Sequence, residues 1–149
     1  MTITIITIGN KPPEEIATLI AIYTKRLPSH IQLEWRYIKH GGGNKKTALE
    51  QEATQIEKTI QQNTNIVLLD ETGIQQDSET LSKFIFTDRQ DCFFIIGGAY
   101  GVDERIKQRA NHILSLSKLV FPHQLVRLIL AEQLYRAYTI ATDHPYHHS

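Results

Sequence analysis

The residues Ile95-Ile96-Gly97-Gly98-Ala99-Tyr100-Gly101 form the segment of this 149-residue chain best suited to chemistry. An apolar run ends in paired glycines, crosses two residues and meets a third glycine. Glycine admits positive φ and lets another group approach the backbone closely. A turn of this kind at the carboxyl end of a parallel strand is where α/β proteins bind small molecules. The order is not G-x-G-x-x-G, so the dinucleotide fingerprint is absent. A tight strand-to-helix turn without a ligand is the equal alternative.

A second segment runs Leu116-Ser117-Lys118-Leu119-Val120-Phe121, followed by Pro122, His123, Gln124 and Leu125-Val126-Arg127. Its apolar side chains and backbone amides suit a purine ring, which needs flat apolar walls and a few main-chain hydrogen bonds. An ordinary strand-loop-helix connection is the alternative. The tail, Asp143-His144-Pro145-Tyr146-His147-His148, holds three histidines and an aspartate. Their spacing fits no zinc pattern and no cysteine partners stand nearby, so no metal is expected. The tail is read instead as an arm that offers Tyr146 for stacking and His147 or Asp143 for polar contacts near the glycine turn, with a frayed terminus as the competitor. Gly43-Asn44-Lys45-Lys46-Thr47 lacks the order of a phosphate loop and reads as a basic loop touching backbone phosphates. Neither G-x-S-x-G nor H-E-x-x-H occurs, which places hydrolytic and metal chemistry low.

The elements that must hold these segments alternate between β-rich and helical, the pattern of an α/β sheet with parallel strands. Strands are expected at Ile3 to Ile8, Ile31 to Ile38, Asn65 to Leu69, Cys92 to Ile96 and His112 to Leu116. The third and fourth are nearly all apolar, as central strands covered on both faces must be. Pro12 and Pro13 precede Glu14 and Glu15 at a helix start, where proline costs little and acids favour the dipole. Ile16, Leu19, Ile20, Tyr23 and Leu27 give that helix its apolar face. Further helices are expected from Lys46 to Gln61, Ser78 to Phe86, Asp103 to Ala110 and His123 to Ala141. The last carries Leu125, Val126, Leu128, Ile129, Leu130, Leu134 and Ala137. That surface is wider than one sheet face can cover, which favours a partner subunit over a helix sandwiched in its own core.

With 41% hydrophobic residues, residues 1–149 are read as one domain with one core. The single Cys92 opens an apolar run and reads as a buried thiol in a reducing, cytoplasmic setting. The opening residues lack a basic region and cleavage site, and no apolar run reaches membrane-spanning length, so neither secretion nor insertion is expected. Sixteen basic residues balance sixteen acids, which argues against coating nucleic acid by bulk charge. The distribution is polarised. Lys25, Arg26, Arg36, Lys39, Lys45 and Lys46 face Glu34 alone between residues 23 and 46. Asp70, Glu71, Asp77, Glu79, Asp88 and Asp91 outnumber Lys83 and Arg89 between residues 70 and 91. Trp35 and Tyr37 lie within the basic stretch and are read either as a base-stacking platform or as core.

Taken together, the opening strand and glycine, Val67-Leu68-Leu69-Asp70, the Ile-Ile-Gly-Gly turn, the stretch from Leu114 to Arg127 and the closing run from Ala131 to His147 resemble the RlmH family of SPOUT-class methyltransferases. The resemblance covers essentially the whole chain. It implies a minimal SPOUT domain, a mostly parallel five- or six-stranded sheet with helices on both faces and a trefoil knot in the carboxyl-terminal segment. Knots are almost absent elsewhere, so periodicity alone cannot foresee one. It implies S-adenosyl-L-methionine held at Leu69, Gly97, Leu116, Ser117, Lys118, Leu119, Val120 and Phe121. It also implies a homodimer through the last helix and methylation at N3 of a pseudouridine in 23S rRNA, within the large subunit or whole ribosome. The family commonly has Pro-Glu where this chain has Ala99-Tyr100, and a second proline where it has Gln124.

Methyl transfer from a sulfonium needs the nucleophile aligned at roughly 3 to 3.5 Å with water excluded, and the imide must lose a proton. Arg127, Asp143, Tyr146 and His147 are the candidate groups for that proton or the resulting anion. Arg127 and the tail, from opposite subunits, are expected to complete the site. The rival readings are a SPOUT enzyme with another RNA target, a non-catalytic ribosome-associated binding protein, and a flavodoxin-type regulator. The last is disfavoured by the missing phosphate loop.

Overall fold

A computed structural model describes residues 1–60 and 64–148. Five strands and five helices alternate: β1 (Thr2–Ile8), α1 (Glu14–Thr24), β2 (Gln32–Ile38), α2 (Lys45–Thr59), β3 (Asn65–Gln75), α3 (Ser78–Phe86), β4 (Cys92–Ile96), α4 (Glu104–Arg109), β5 (His112–Ser115) and α5 (His123–Ala141). The expected end of the second helix at Gln61 lies outside the described residues. The strands form one sheet of order β2-β1-β4-β3-β5, parallel at every pairing. The fold class is therefore the expected α/β one, with five strands among the described residues.

Alternation along the strands divides the core in two. Ile3, Ile5, Val67, Phe94 and Ile96 meet Leu81, Ile85, Leu130, Leu134 and Ala137 of α3 and α5 on one face. Ile6, Ile8, Leu68, Phe93 and Ile95 meet Ala53, Ile56 and Ile106 of α2 and α4 on the other. Cys92 belongs to the first cluster, and burial pushes its thiol up to about 12, as an inert core sulfur requires. Side-chain caps start three helices: Asn44 accepts from the Thr47 amide, Asp77 from Thr80 and Asp103 from Arg105.

Two departures from expectation bear on the site. β3 continues past Leu69 to Gln75, and its register against β5 shifts between Leu69 and Ile74, both opposite Leu114. The bulge so formed is closed by Asp70, whose Oδ1 accepts from the Thr72 amide at 2.9 Å and the Thr72 hydroxyl at 2.6 Å. Gly73 permits it, because a Cβ there would sit 2.6 Å from the Ile113 carbonyl oxygen. The other departure is Leu116, which lies beyond the end of β5 in the following loop.

Within the chain, α5 packs against both α1 and α3, and its buried residues share a core cluster with the sheet. Leu130, Leu134 and Ala137 are buried there, so much of its wide apolar surface is covered internally, while Leu125 remains exposed. Trp35 packs against the α1/α5 side of the core, stacked on Tyr37 at 6.3 Å between centroids. Among the described residues its buried indole N–H has no hydrogen-bond partner. The geometry thus favours core over a base-stacking platform for this pair. Among the described residues, no helix is long and apolar enough to cross a membrane.

Candidate active site

The carboxyl ends of β3, β4 and β5 open into one cleft of about 470 Å³. The glycine turn forms one wall. The Gly98 amide donates to the Gly101 carbonyl at 3.1 Å and the Gly101 amide donates back at 3.0 Å, closing a small loop with Ala99 and Tyr100 at its tip. Gly101 takes φ +74°, and a Cβ on Gly97 would lie 2.7 Å from the Gly101 oxygen. Both positions therefore demand glycine for the turn itself.

The opposite wall is the segment after β5. Leu114, Leu116, Leu119, Val120, Phe121 and Val126 supply apolar surface, joined across the cleft by Leu69 and Ile96. Ser117 fixes this loop: its hydroxyl accepts from the Leu119 amide at 2.9 Å and its carbonyl accepts from the Ser115 hydroxyl at 3.0 Å. Leu119 and Val120 are nonetheless 73% and 83% exposed, apolar side chains left uncovered at the rim. Of the eight positions expected to hold a cofactor, all but Lys118 line the cleft; Lys118 is exposed outside it. Apolar walls beside a glycine turn that lets a ligand approach the backbone closely suit an adenine ring, so the residues present fit S-adenosyl-L-methionine.

The rim is polar. Burial works against the charge on Asp70, but the Thr72 hydrogen bonds and the Lys107 ammonium at 3.3 Å outweigh it and hold its carboxyl below the ordinary range. His123, at the first turn of α5, also lines the cleft. Burial, the Arg127 charge and His40 lower its pKa from 6.5 against an opposing hydrogen bond with the Gly98 backbone, so its ring is neutral at pH 7. A neutral imidazole can accept a proton. His123, Asp70, Lys45 and Tyr100 also line the cleft, beyond the individual positions expected to hold a cofactor. For His123 the available signal was its place directly after Pro122 at a helix start, where a side chain points out of the last strand-end loop.

The expected catalytic residues do not converge on this cleft within one chain. Arg127 is 2% exposed and spends its guanidinium beneath the site. It donates to the Thr7 hydroxyl, the carbonyls of Ile8 and Asn10, and the Gln124 side chain. Tyr146 and His147 fold back on the carboxyl half of α5. The Tyr146 hydroxyl donates to Glu132 Oε1 at 3.0 Å, and His147 Nδ1 lies 3.3 Å from the Arg136 guanidinium. Asp143 is exposed at φ +52° just past that helix. His147 lines a separate pocket, on the far side of Leu114 to Leu116. Among the described residues no group of three or more His, Cys, Asp or Glu is placed to hold a metal ion.

Residues 1–147 match the family described as "Predicted SPOUT methyltransferase". The chain is 40% identical to "Ribosomal RNA large subunit methyltransferase H" of Paraburkholderia phymatum, with 99% of each chain covered. The protein of the same name from Christiangramia forsetii is also 40% identical, again over 99% of both chains, and that from Burkholderia vietnamiensis is 38% identical over the same share.

Proposed function

From the premise that this chain belongs to the SPOUT methyltransferase family, as an RlmH-like member, we propose that it methylates large-subunit ribosomal RNA with S-adenosyl-L-methionine bound in the cleft between the glycine turn and the loop after β5. The observation that carries this reading is the meeting of three strand ends with apolar and polar walls in one cleft, at the position where α/β sheets take ligands. The five-stranded parallel sheet with helices on both faces accords with the minimal knotted SPOUT domain.

The bound methyl donor supplies an electrophilic carbon on a sulfonium. The protein's part is to position, exclude water and manage a proton. Leu69, Leu116, Val120 and Phe121 would enclose the adenine, and Gly97 leaves room beside the backbone. The exposed Leu119 and Val120 would cover the donor once it is bound. His123, neutral and facing the cleft, is placed to take the imide proton from N3 of a pseudouridine. Burial first, and the nearby Arg127 charge second, disfavour the cation of that ring. Tyr146 and His147 would serve the cleft of a second copy in a homodimer, which the uncovered Leu19, Ile22 and Leu125 on the neighbouring helices α1 and α5 support.

The test joins titration calorimetry with S-adenosyl-L-methionine to mass mapping of nucleosides after incubation with large subunits from cells lacking the gene. A binding heat and a single new methylated pseudouridine are expected. No binding heat, or methyl groups on a different base, overturns the corresponding half of the reading.

A further inference from the structure

At the tip of the glycine turn, Tyr100 is 64% exposed, yet it lines the cleft. The Lys45 ammonium, at the first residue of α2, stands 5.5 Å from the centre of its ring, a cation–π contact. Lys45 lines the cleft as well, and Lys46 follows it on the exposed surface. Among the described residues neither lysine is ion-paired, whereas Lys107 across the cleft is neutralised by Asp70. The lip therefore presents an unshielded aromatic face with two uncompensated positive charges beside it. Tyr100 belongs to neither core cluster of the described residues.

Resting on the methyltransferase reading above, we infer that Tyr100 stacks a nucleobase flanking the target nucleotide while Lys45 and Lys46 meet the adjoining phosphates, making this lip the element that seats single-stranded RNA over the methyl donor. Stacking on an aromatic ring with cations along the backbone is the usual chemistry of single-strand recognition. The donor's own adenine is the poorer occupant. Its sulfonium is repelled by the two lysines, and the deeper apolar walls already suit its ring.

The experiment compares wild type with Tyr100→Ala, Tyr100→Trp and Lys45→Ala, using large subunits from cells lacking the gene. Tyr100→Ala raises KM for subunits by about 5- to 100-fold, the range that stacking contributes, with the calorimetric affinity for S-adenosyl-L-methionine unchanged. Tyr100→Trp restores KM. Lys45→Ala weakens binding and lowers the slope of log affinity against log salt by about 1. An unchanged KM in Tyr100→Ala, or a loss of donor affinity without a change in KM, overturns the inference. If wild type binds the donor but does not methylate the subunits, the substrate assignment fails instead. Fluorescence anisotropy of a labelled oligouridylate then reads the lip directly, and equal affinity in wild type and Tyr100→Ala overturns it.

Discussion

Arg127 Nε donates to the Thr7 hydroxyl at 3.1 Å, a buried bond that joins the first strand to the last helix across 120 residues of chain. The same guanidinium reaches the Asn10 carbonyl at 2.8 Å and the Ile8 carbonyl at 3.3 Å, and lies 5.6 Å from the Tyr37 ring centre. One side chain thus satisfies the carboxyl end of β1 and orients the first turn of α5, where His123 stands. Arg127→Ala leaves the buried Thr7 hydroxyl and Ile8 carbonyl without this donor. We expect a loss of about 2–4 kcal/mol in urea unfolding together with loss of methylation. An unchanged urea midpoint would show that Arg127 is not the tie described.

Gly97→Ala tests the turn. The added Cβ would meet the backbone oxygen of Gly101 at 2.7 Å, and backbone cannot swing aside as a side chain can. The turn must open, at a cost of about 1–3 kcal/mol, and the cleft wall moves with it. Calorimetry should show donor affinity reduced at least tenfold. Gly42→Ala is the control, since nothing lies within 4 Å of its added Cβ. It should bind the donor as wild type does.

The pH dependence follows from His123. Its folded pKa lies below 6.5, because burial and Arg127 disfavour the cation. The unfolded chain therefore binds more protons in the window below about 6.5, and stability falls as pH drops through it. Above that window the group contributes no slope. Chemical denaturation at pH 7.5 and pH 5.5 should show wild type losing more stability than His123→Gln. Methylation should decline over the same interval as the ring charges. Equal slopes for the two proteins would remove His123 from the account.

Much of this arrangement was open to sequence reasoning because it rests on local pattern. Cys92 to Ile96 is apolar without a break, which only a central strand covered on both faces tolerates, and its glycines mark where the strand must turn. The extension of β3 was hidden. Asp70-Glu71-Thr72-Gly73 is polar and reads as a loop, and it becomes strand only because Gly73 lets β5 approach its backbone. The surroundings of Arg127 were hidden for a similar reason, since its partners Thr7, Ile8 and Asn10 are more than a hundred residues away in the chain. Trp35 and Tyr37 alternate correctly for a strand, but which face is inward depends on the position of α1 and α5, which the strand does not encode.

The tail carries the last prediction. Tyr146 rests edge-on against Tyr135 at 4.9 Å, with the Arg136 guanidinium 4.8 Å from its ring centre and its hydroxyl held by Glu132. Burial and the Glu132 carboxylate push that hydroxyl up to about 12, so it remains a donor at any assay pH. A donor can hold a base or an anion but cannot take the imide proton, and the effect of Tyr146→Phe should accordingly be independent of pH between 6 and 9. If the arm serves the other subunit, chains ending before Asp143 bind the methyl donor normally and methylate poorly. Mixing them with the Gly97→Ala protein, which keeps its tail, then rebuilds one complete site per mixed dimer. Recovery of methylation above the sum of the separate proteins is expected. Mixed dimers that form without any recovery would confine the tail to its own chain.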